Sequence, residues 1–307
     1  MKILTIGAGA YGLALSTILS EKNEVTVYSS LKDEIDNLKK THKNEKLFSN
    51  LILPNKIEYT NDIRNTNSDV IIIALPSNII KKELEKIKEN LIDKKIIIAT
   101  KGIYEKKFMH EILKEFTNNI YVLSGPSFAK DIIEKQPLTL TLAGTNTKKI
   151  KEIFNEQYIN IEETKDIIGT EICGALKNTF AIGSGILKGL NASDSTIASY
   201  LTKIINDTKR IIKEFDGNEN TVLLSCGIGD ILLTCTSEKS RNFSLGYMIG
   251  NNETKETINT YLENTTIEGL SSLIEFKQIY NIEIINILYD IIYNNKNPKE
   301  ILSYIVK

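Results

Sequence analysis

Gly7-Ala8-Gly9-Ala10-Tyr11-Gly12 follows directly on a short apolar run, Lys2 to Ile6, and opens an apolar helical pattern from Leu13 to Leu19. Strand, glycine-rich turn and helix in this order are the setting in which a G-x-G-x-x-G spacing binds a dinucleotide. Gly7 permits the tight turn, Gly9 lets the backbone come up to a pyrophosphate, and Gly12 lets the helix pack closely on the strand. The helix start then offers unpaired N–H groups and a favourable dipole to the phosphates. The alternative is a glycine-rich turn without a ligand, and the strand-turn-helix setting argues against it.

The pattern continues through the first half. Glu24–Tyr28 reads as a second strand and Leu31–Lys40 as a helix. Asp69–Leu75, Lys95–Ala99, Ile120–Leu123 and Leu138–Ala143 are further strands, with polar helical segments between them. Unbroken Ile/Val runs mean strands buried on both faces, hence a mostly parallel sheet covered by helices. The expected fold is an α/β doubly wound, Rossmann-like domain over residues 1–164. Beyond it the strand signals stop. Ile167–Leu190 is long, apolar and rich in small residues, and Ile197–Phe215, Thr254–Glu263, Ser271–Tyr280 and Ile284–Tyr293 read as helices. An all-α second domain is therefore expected over 165–307.

A net charge of −1, from 38 Lys+Arg against 39 Asp+Glu, points to neither nucleic acid nor a membrane surface as partner. Cys173, Cys226 and Cys235 form no CxxC pair and read as small buried hydrophobes in a reducing compartment. No His/Cys/carboxylate cluster has metal-ligand spacing, so no metal is expected. The chain opens at once on strand residues, so neither a secretory leader nor a membrane insertion is expected.

In doubly wound sheets ligands lie at the carboxyl ends of the strands. Pro76-Ser77, Thr100-Lys101-Gly102 and Ser124-Gly125-Pro126-Ser127-Phe128-Ala129-Lys130 follow three of them, and are expected to converge on one crevice. Lys101 is a cation beside a glycine there; its alternative is a solvated loop lysine. Lys177 lies within the most apolar helix, where a lysine either snorkels outward or enters a protected site with a lowered pKa. The histidines, His42 and His110, fall at neither strand ends nor glycine-rich loops. A hydride-transfer enzyme needs a proton donor at its alcohol oxygen, and that role shifts toward lysine. Asp230 follows Gly227 and Gly229 at a helix start, as an active-site carboxylate or an N-cap. Ser240-Arg241-Asn242 suits an anionic group, unless Arg241 is merely solvent-facing. Glu268-Gly269 reads as a helix-end pair.

GAGAYG, ATKG, SGPSFAKD, GALKN, GIGDILLTCTS, SRN and IEG, in this order, resemble the bacterial NAD(P)-dependent glycerol-3-phosphate dehydrogenase family over nearly the whole chain. The resemblance implies reversible hydride transfer between NAD(P)H and dihydroxyacetone phosphate, giving glycerol 3-phosphate for phospholipid synthesis in the cytoplasm, and leaves room for a homodimer. It implies Lys177 as proton acceptor, Lys101 as a contact to both substrate and cofactor, and Asp230 and Thr234 in the active site. Gly125, Ser127, Asn178, Ser240, Arg241 and Asn242 would bind substrate. Ala10, Tyr11, Ser30, Ala129, Arg241, Thr266 and Glu268 would join Gly7, Gly9 and Gly12 around the cofactor.

Members of the family often carry Ser where Ala10 stands, a basic residue after Asn191, and Thr-Arg where Thr202-Lys203 stands; Ser30 and Thr266 also depart from its usual types. Another two-domain dehydrogenase acting on a hydroxy acid or sugar acid, or a dinucleotide-binding regulator without turnover, are the alternatives. The second strand ends Val27-Tyr28-Ser29-Ser30 without an acid, the first acid downstream being Asp33, so only modest discrimination between NADH and NADPH is expected.

Overall fold

The computed structural model describes residues 1–49, 51–65, 67–154 and 157–306. Its strands are β1 (Lys2–Ile6), β2 (Glu24–Tyr28), β3 (Glu58–Thr60), β4 (Val70–Ile73), β5 (Lys95–Ile98), β6 (Ile103–Tyr104), β7 (Lys107–Phe108), β8 (Ile120–Ser124), β9 (Leu138–Ala143) and β10 (Ile159–Thr164). Its helices are α1 (Ala10–Leu19), α2 (Lys32–Thr41), α3 (Ser77–Glu85), α4 (Met109–Leu113), α5 (Ala129–Ile133), α6 (Lys148–Lys151), α7 (Ile167–Gly189), α8 (Asp194–Glu214), α9 (Asp230–Thr236), α10 (Arg241–Gly250), α11 (Lys255–Asn264), α12 (Glu268–Ile279), α13 (Glu283–Tyr293) and α14 (Ile301–Val306). Two compact units form: Met1–Thr100 with Met109–Ile167, and Lys101–Phe108 with Ile168–Lys307. The final residue, Lys307, at which the expected second domain ends, lies outside the described residues.

The first unit is built on an eight-stranded sheet in the order β10-β9-β8-β5-β4-β1-β2-β3. The pairings from β3 across to β8 are parallel, as the continuous apolar runs require, and β4 (Val-Ile-Ile-Ile) is buried at every position. The β8–β9 pairing is antiparallel, while β10 runs parallel to β9. Side-chain patterning does not report strand direction, so this reversal is absent from the sequence. The strands β3 and β10 carry weaker signals: β3 has three residues, and Ile159-Asn160-Ile161-Glu162 shows only a short alternation.

Among the described residues, the second unit is helical apart from the β6–β7 hairpin. That hairpin turns at Glu105 and Lys106, with φ of 52° and 62°. Both central residues are left-handed, as a tight hairpin turn requires, but no Asn-Gly pair announces it. The 23 residues of α7 are buried on nearly every side. Its small residues allow close crossing with α10: a Cβ on Gly185 would stand 2.0 Å from the Phe243 carbonyl oxygen, and one on Gly246 equally close to that of Ile182. A helix apolar all round belongs at the centre of its unit, and α7 is such a helix. Among the described residues no helix is long and apolar enough to cross a membrane.

Candidate active site

The fingerprint turn lies between β1 and α1. Gly7 has φ of +121°, and a Cβ there would meet the Ala74 carbonyl oxygen at 2.5 Å. A Cβ on Gly12 would lie 2.1 Å from the Gly7 carbonyl oxygen. At Gly9 the space is open, with nothing within 4 Å of the position a Cβ would take. Gly9 is also the N-cap of α1 in extended conformation, and among the described residues no side chain caps that helix. A turn packed tightly behind, open in front and ending on an uncapped helix start fits the pyrophosphate of a dinucleotide.

The neighbouring loops of the first unit are tied to one another. The Thr100 hydroxyl donates to the carbonyls of Ile73 and Leu75, at 3.3 and 2.7 Å. The hydroxyls of Tyr11 and Ser127 lie 3.0 Å apart, and that of Ser127 also donates to the Gly125 carbonyl at 3.1 Å. Ala129 is the first residue of α5. Ser30 is exposed just beyond β2.

In the second unit, Lys101, Lys177 and Asp230 meet. Asp230 is fully buried. Its Oδ1 accepts from Lys177 Nζ at 2.5 Å and its Oδ2 from Lys101 Nζ at 2.8 Å. Lys177 Nζ also donates to Thr234 Oγ1 at 3.0 Å. Thr234 lies one turn beyond Asp230 on α9, on the same face, and its hydroxyl donates to the Asp230 carbonyl at 2.6 Å. A π-helical turn, Ser225–Gly229, delivers Asp230 to the start of α9. The N-cap position belongs to Gly229, and the Asp230 carboxylate turns to the lysines instead. The reading of Lys177 as a snorkelling lysine is overturned, since it is 8% exposed. Lys101, whose side chain is 13% exposed, is not a solvated loop lysine either.

Burial pushes the Lys177 ammonium down, Asp230 draws it up, and Lys101 pushes it down again; the outcome is a pKa of about 8. Burial would raise the Asp230 carboxyl, but the two lysines hold it below the usual carboxylate range. One carboxylate between two ammonium groups gives these three side chains together a formal charge of +1.

A second network adjoins it in sequence. Asn178 Nδ2 donates to Glu268 Oε2 at 2.9 Å, Asn242 Nδ2 to Asn178 Oδ1 at 3.0 Å, and the Gly269 N–H to Asn242 Oδ1 at 2.9 Å. Glu268 opens α12 and is more than a helix-end residue. Asn242 is buried and its carboxamide oxygen is engaged by Gly269, which a direct reading of Ser240-Arg241-Asn242 does not foresee. Ser240 caps α10 through the Phe243 N–H at 3.3 Å, while Arg241 and Thr266 are exposed.

Glu34 is a residue the sequence reading passed over. It lies in the first turn of α2, and its Oε2 accepts from the Ser29 hydroxyl at 2.7 Å. The signal was spacing: the first turn of the following helix returns to the strand tip. Among the described residues no group of three or more His, Cys, Asp or Glu side chains is arranged to hold a metal ion. Cys173, Cys226 and Cys235 are buried thiols outside any disulfide, and burial pushes the Cys235 thiol far up.

A dinucleotide turn on a doubly wound sheet, joined in one chain to a buried acid–base cluster on a helical unit, defines an NAD(P)-dependent oxidoreductase. Comparison with known proteins narrows the class. The family model for the NAD-dependent glycerol-3-phosphate dehydrogenase N-terminus matches residues 2–150, and that for the C-terminus matches residues 166–303. A relative from Leptospira biflexa, named glycerol-3-phosphate dehydrogenase (NAD(P)+), is 32% identical over 98% of this chain and 96% of its own length. One of the same name from Neorickettsia sennetsu is 35% identical over 95% of this chain and 89% of its own. The crystal structure of glycerol-3-phosphate dehydrogenase from Coxiella burnetii superposes with a TM-score of 0.92 at 25% identity, covering 100% of this chain and 98% of that one. The chain belongs to the NAD-dependent glycerol-3-phosphate dehydrogenase family.

Proposed function

We propose that this chain reduces dihydroxyacetone phosphate to sn-glycerol 3-phosphate with NAD(P)H, reversibly, and so supplies phospholipid synthesis in the cytoplasm. The observation that carries the chemistry is the Lys177–Asp230–Lys101 cluster. Residues 1–164, apart from the Lys101–Phe108 segment that belongs to the second unit, are the dinucleotide-binding domain, and 165–307 are the substrate and catalytic domain.

When bound, the nicotinamide supplies the hydride to the ketone carbon. The chain supplies the rest. Gly7, Gly9, Ala10, Tyr11 and Gly12 hold the pyrophosphate, with Ser30, Ala129, Thr266 and Glu268 as further cofactor contacts. Lys177 Nζ donates a proton to the carbonyl oxygen as it gains charge, and takes it back in the reverse direction. Its pKa of about 8 places it near the operating pH of such a group. Lys101 holds positive charge beside the developing alkoxide and contacts the cofactor. Asp230 keeps both ammonium groups in place, with Thr234 completing the pocket around Lys177. Arg241, Asn242 and Ser240 hold the substrate phosphate, with Gly125, Ser127 and Asn178 as further substrate contacts. A guanidinium matches phosphate bidentately, which sets the substrate class. Oxidation of NADH or NADPH by the purified chain, followed with dihydroxyacetone phosphate and with hydroxy-acid precursors, tests the reading. Turnover of a 2-oxo acid in preference to the triose phosphate would replace it.

A further inference from the structure

Ser29 is the first residue after β2, and its N–H donates to the Thr60 carbonyl at 3.2 Å. Its hydroxyl accepts from the Leu31 N–H at 3.3 Å and donates to Glu34 Oε2 at 2.7 Å. The other oxygen of Glu34, Oε1, accepts from Asn44 Nδ2 at 3.4 Å. Both oxygens of this carboxylate are therefore anchored, and its place is the carboxyl end of β2. That end is the neighbour of the fingerprint turn: Ile6 pairs with Tyr28, and the Gly7 N–H donates to the Tyr28 carbonyl at 2.9 Å.

In doubly wound sheets the adenosine ribose lies at the tip of the second strand. A carboxylate there accepts from the ribose hydroxyls and repels a 2′-phosphate, whereas an arginine accommodates that phosphate. From Ser29 to Phe48 the sequence contains no arginine. Lys32 is exposed on the first turn of α2, but Asp33 stands beside it, and a lysine offers a point charge without the bidentate fork. Of the two serine hydroxyls at the tip, that of Ser29 already donates to Glu34. The expectation of modest discrimination rested on a strand tip without an acid, and the fold brings the Glu34 carboxylate to that tip.

We propose that Glu34, held at the β2 tip by Ser29 and Asn44, is a specificity-determining residue that makes this chain prefer NADH to NADPH. The proposal rests on the dinucleotide-binding reading of the first unit and deepens it.

The test is direct binding. Kd values for NADH and NADPH are measured by calorimetry on the full chain without substrate, for the wild type, Glu34→Gln and Ser29→Ala. The wild type is expected to bind NADH more tightly by roughly tenfold or more, the scale of one like-charge repulsion at a partly screened site. Glu34→Gln should tighten NADPH and weaken NADH, lowering the ratio roughly tenfold. Ser29→Ala, which removes one of the carboxylate's two anchors without removing the charge, should fall between them. Added salt should shrink the wild-type ratio and leave that of Glu34→Gln nearly unchanged.

Equal affinities in the wild type, or a Glu34→Gln ratio within about twofold of the wild-type one, would overturn the proposal. Should Glu34→Gln not fold, a Ser29→Ala ratio equal to the wild-type one would overturn it as well. Turnover of dihydroxyacetone phosphate, assayed in parallel, separates the two readings. A shifted binding ratio without such turnover overturns the assigned activity and leaves Glu34 in its role. Turnover with an unshifted ratio does the reverse.

Discussion

Lys177 and Asp230 lie 53 positions apart and meet at 2.5 Å, a buried ammonium on a buried carboxylate. The pair is not isolated, because Lys101 Nζ sits 2.8 Å from the second carboxylate oxygen and gives the three groups together a formal charge of +1. The extra cation keeps Lys177 able to release its proton. With Asp230 alone beside it, the ammonium would be held more firmly.

Lys177→Ala should lower turnover of dihydroxyacetone phosphate by roughly a hundredfold or more, the scale of a lost general acid. NADH affinity should persist, since the fingerprint turn lies in the other unit. Steady-state kinetics beside an NADH titration measures both, and near-normal turnover would remove Lys177 from the chemistry.

The pH profile follows from the sign of the Lys177 shift. Its pKa is lowered to about 8, and as the proposed proton donor it would act in reduction only in its protonated form. Reduction should therefore be flat below pH 8 and fall above it. Oxidation of glycerol 3-phosphate requires the free amine and should rise through the same range. Asp230→Asn removes the charge that raises Lys177 while Lys101 still lowers it, so the limb should move to lower pH. A limb that stays in place would assign the titration to another group.

Asp230→Ala leaves two cations facing each other in a site where the carboxylate was fully buried. Breaking a buried pair by removing one partner costs about 3–5 kcal/mol. Urea denaturation should show a loss of that size, and a loss under about 1 kcal/mol would mean that water enters the cluster freely.

Arg241→Lys should raise the KM for dihydroxyacetone phosphate, because an ammonium does not reproduce the bidentate fork. Unphosphorylated dihydroxyacetone should lose little further. The informative quantity is the ratio of kcat/KM for the two substrates; an equal loss on both would argue against phosphate as the group Arg241 reads.

Gly12→Ala places a methyl group 2.1 Å from the Gly7 carbonyl oxygen. Relieving that overlap should cost roughly 1–3 kcal/mol and disturb the turn. NADH binding should weaken at least as clearly as thermal stability, and unaltered binding would show that the turn is not the pyrophosphate site.

What sequence alone determines here is what short-range patterning records. Continuous Ile/Val runs specify strands buried on both faces, the strand-turn-helix spacing of Gly7, Gly9 and Gly12 specifies the dinucleotide turn, and the small residues of α7 specify a central helix. Each is a relation among residues within about one element, so it survives in linear order. Strand direction leaves no such record, so the antiparallel β8–β9 pairing could not be read, nor could the hairpin turn at Glu105-Lys106, whose left-handed residues are not the types that signal one.

The candidate lysines could be named, but not their state. Lys177 snorkelling outward and Lys177 buried have the same local sequence. What separates them is Asp230 at 53 positions and Lys101 at 129 from that aspartate. Glu34 was invisible for a related reason: its relation to Ser29 is short in sequence but depends on how α2 turns back from β2. Charge-bearing contacts of this kind stabilise only when distant groups share a desolvated space, because the strength of an ion pair is set by distance and by the water removed around it. Those quantities come into being with the tertiary structure.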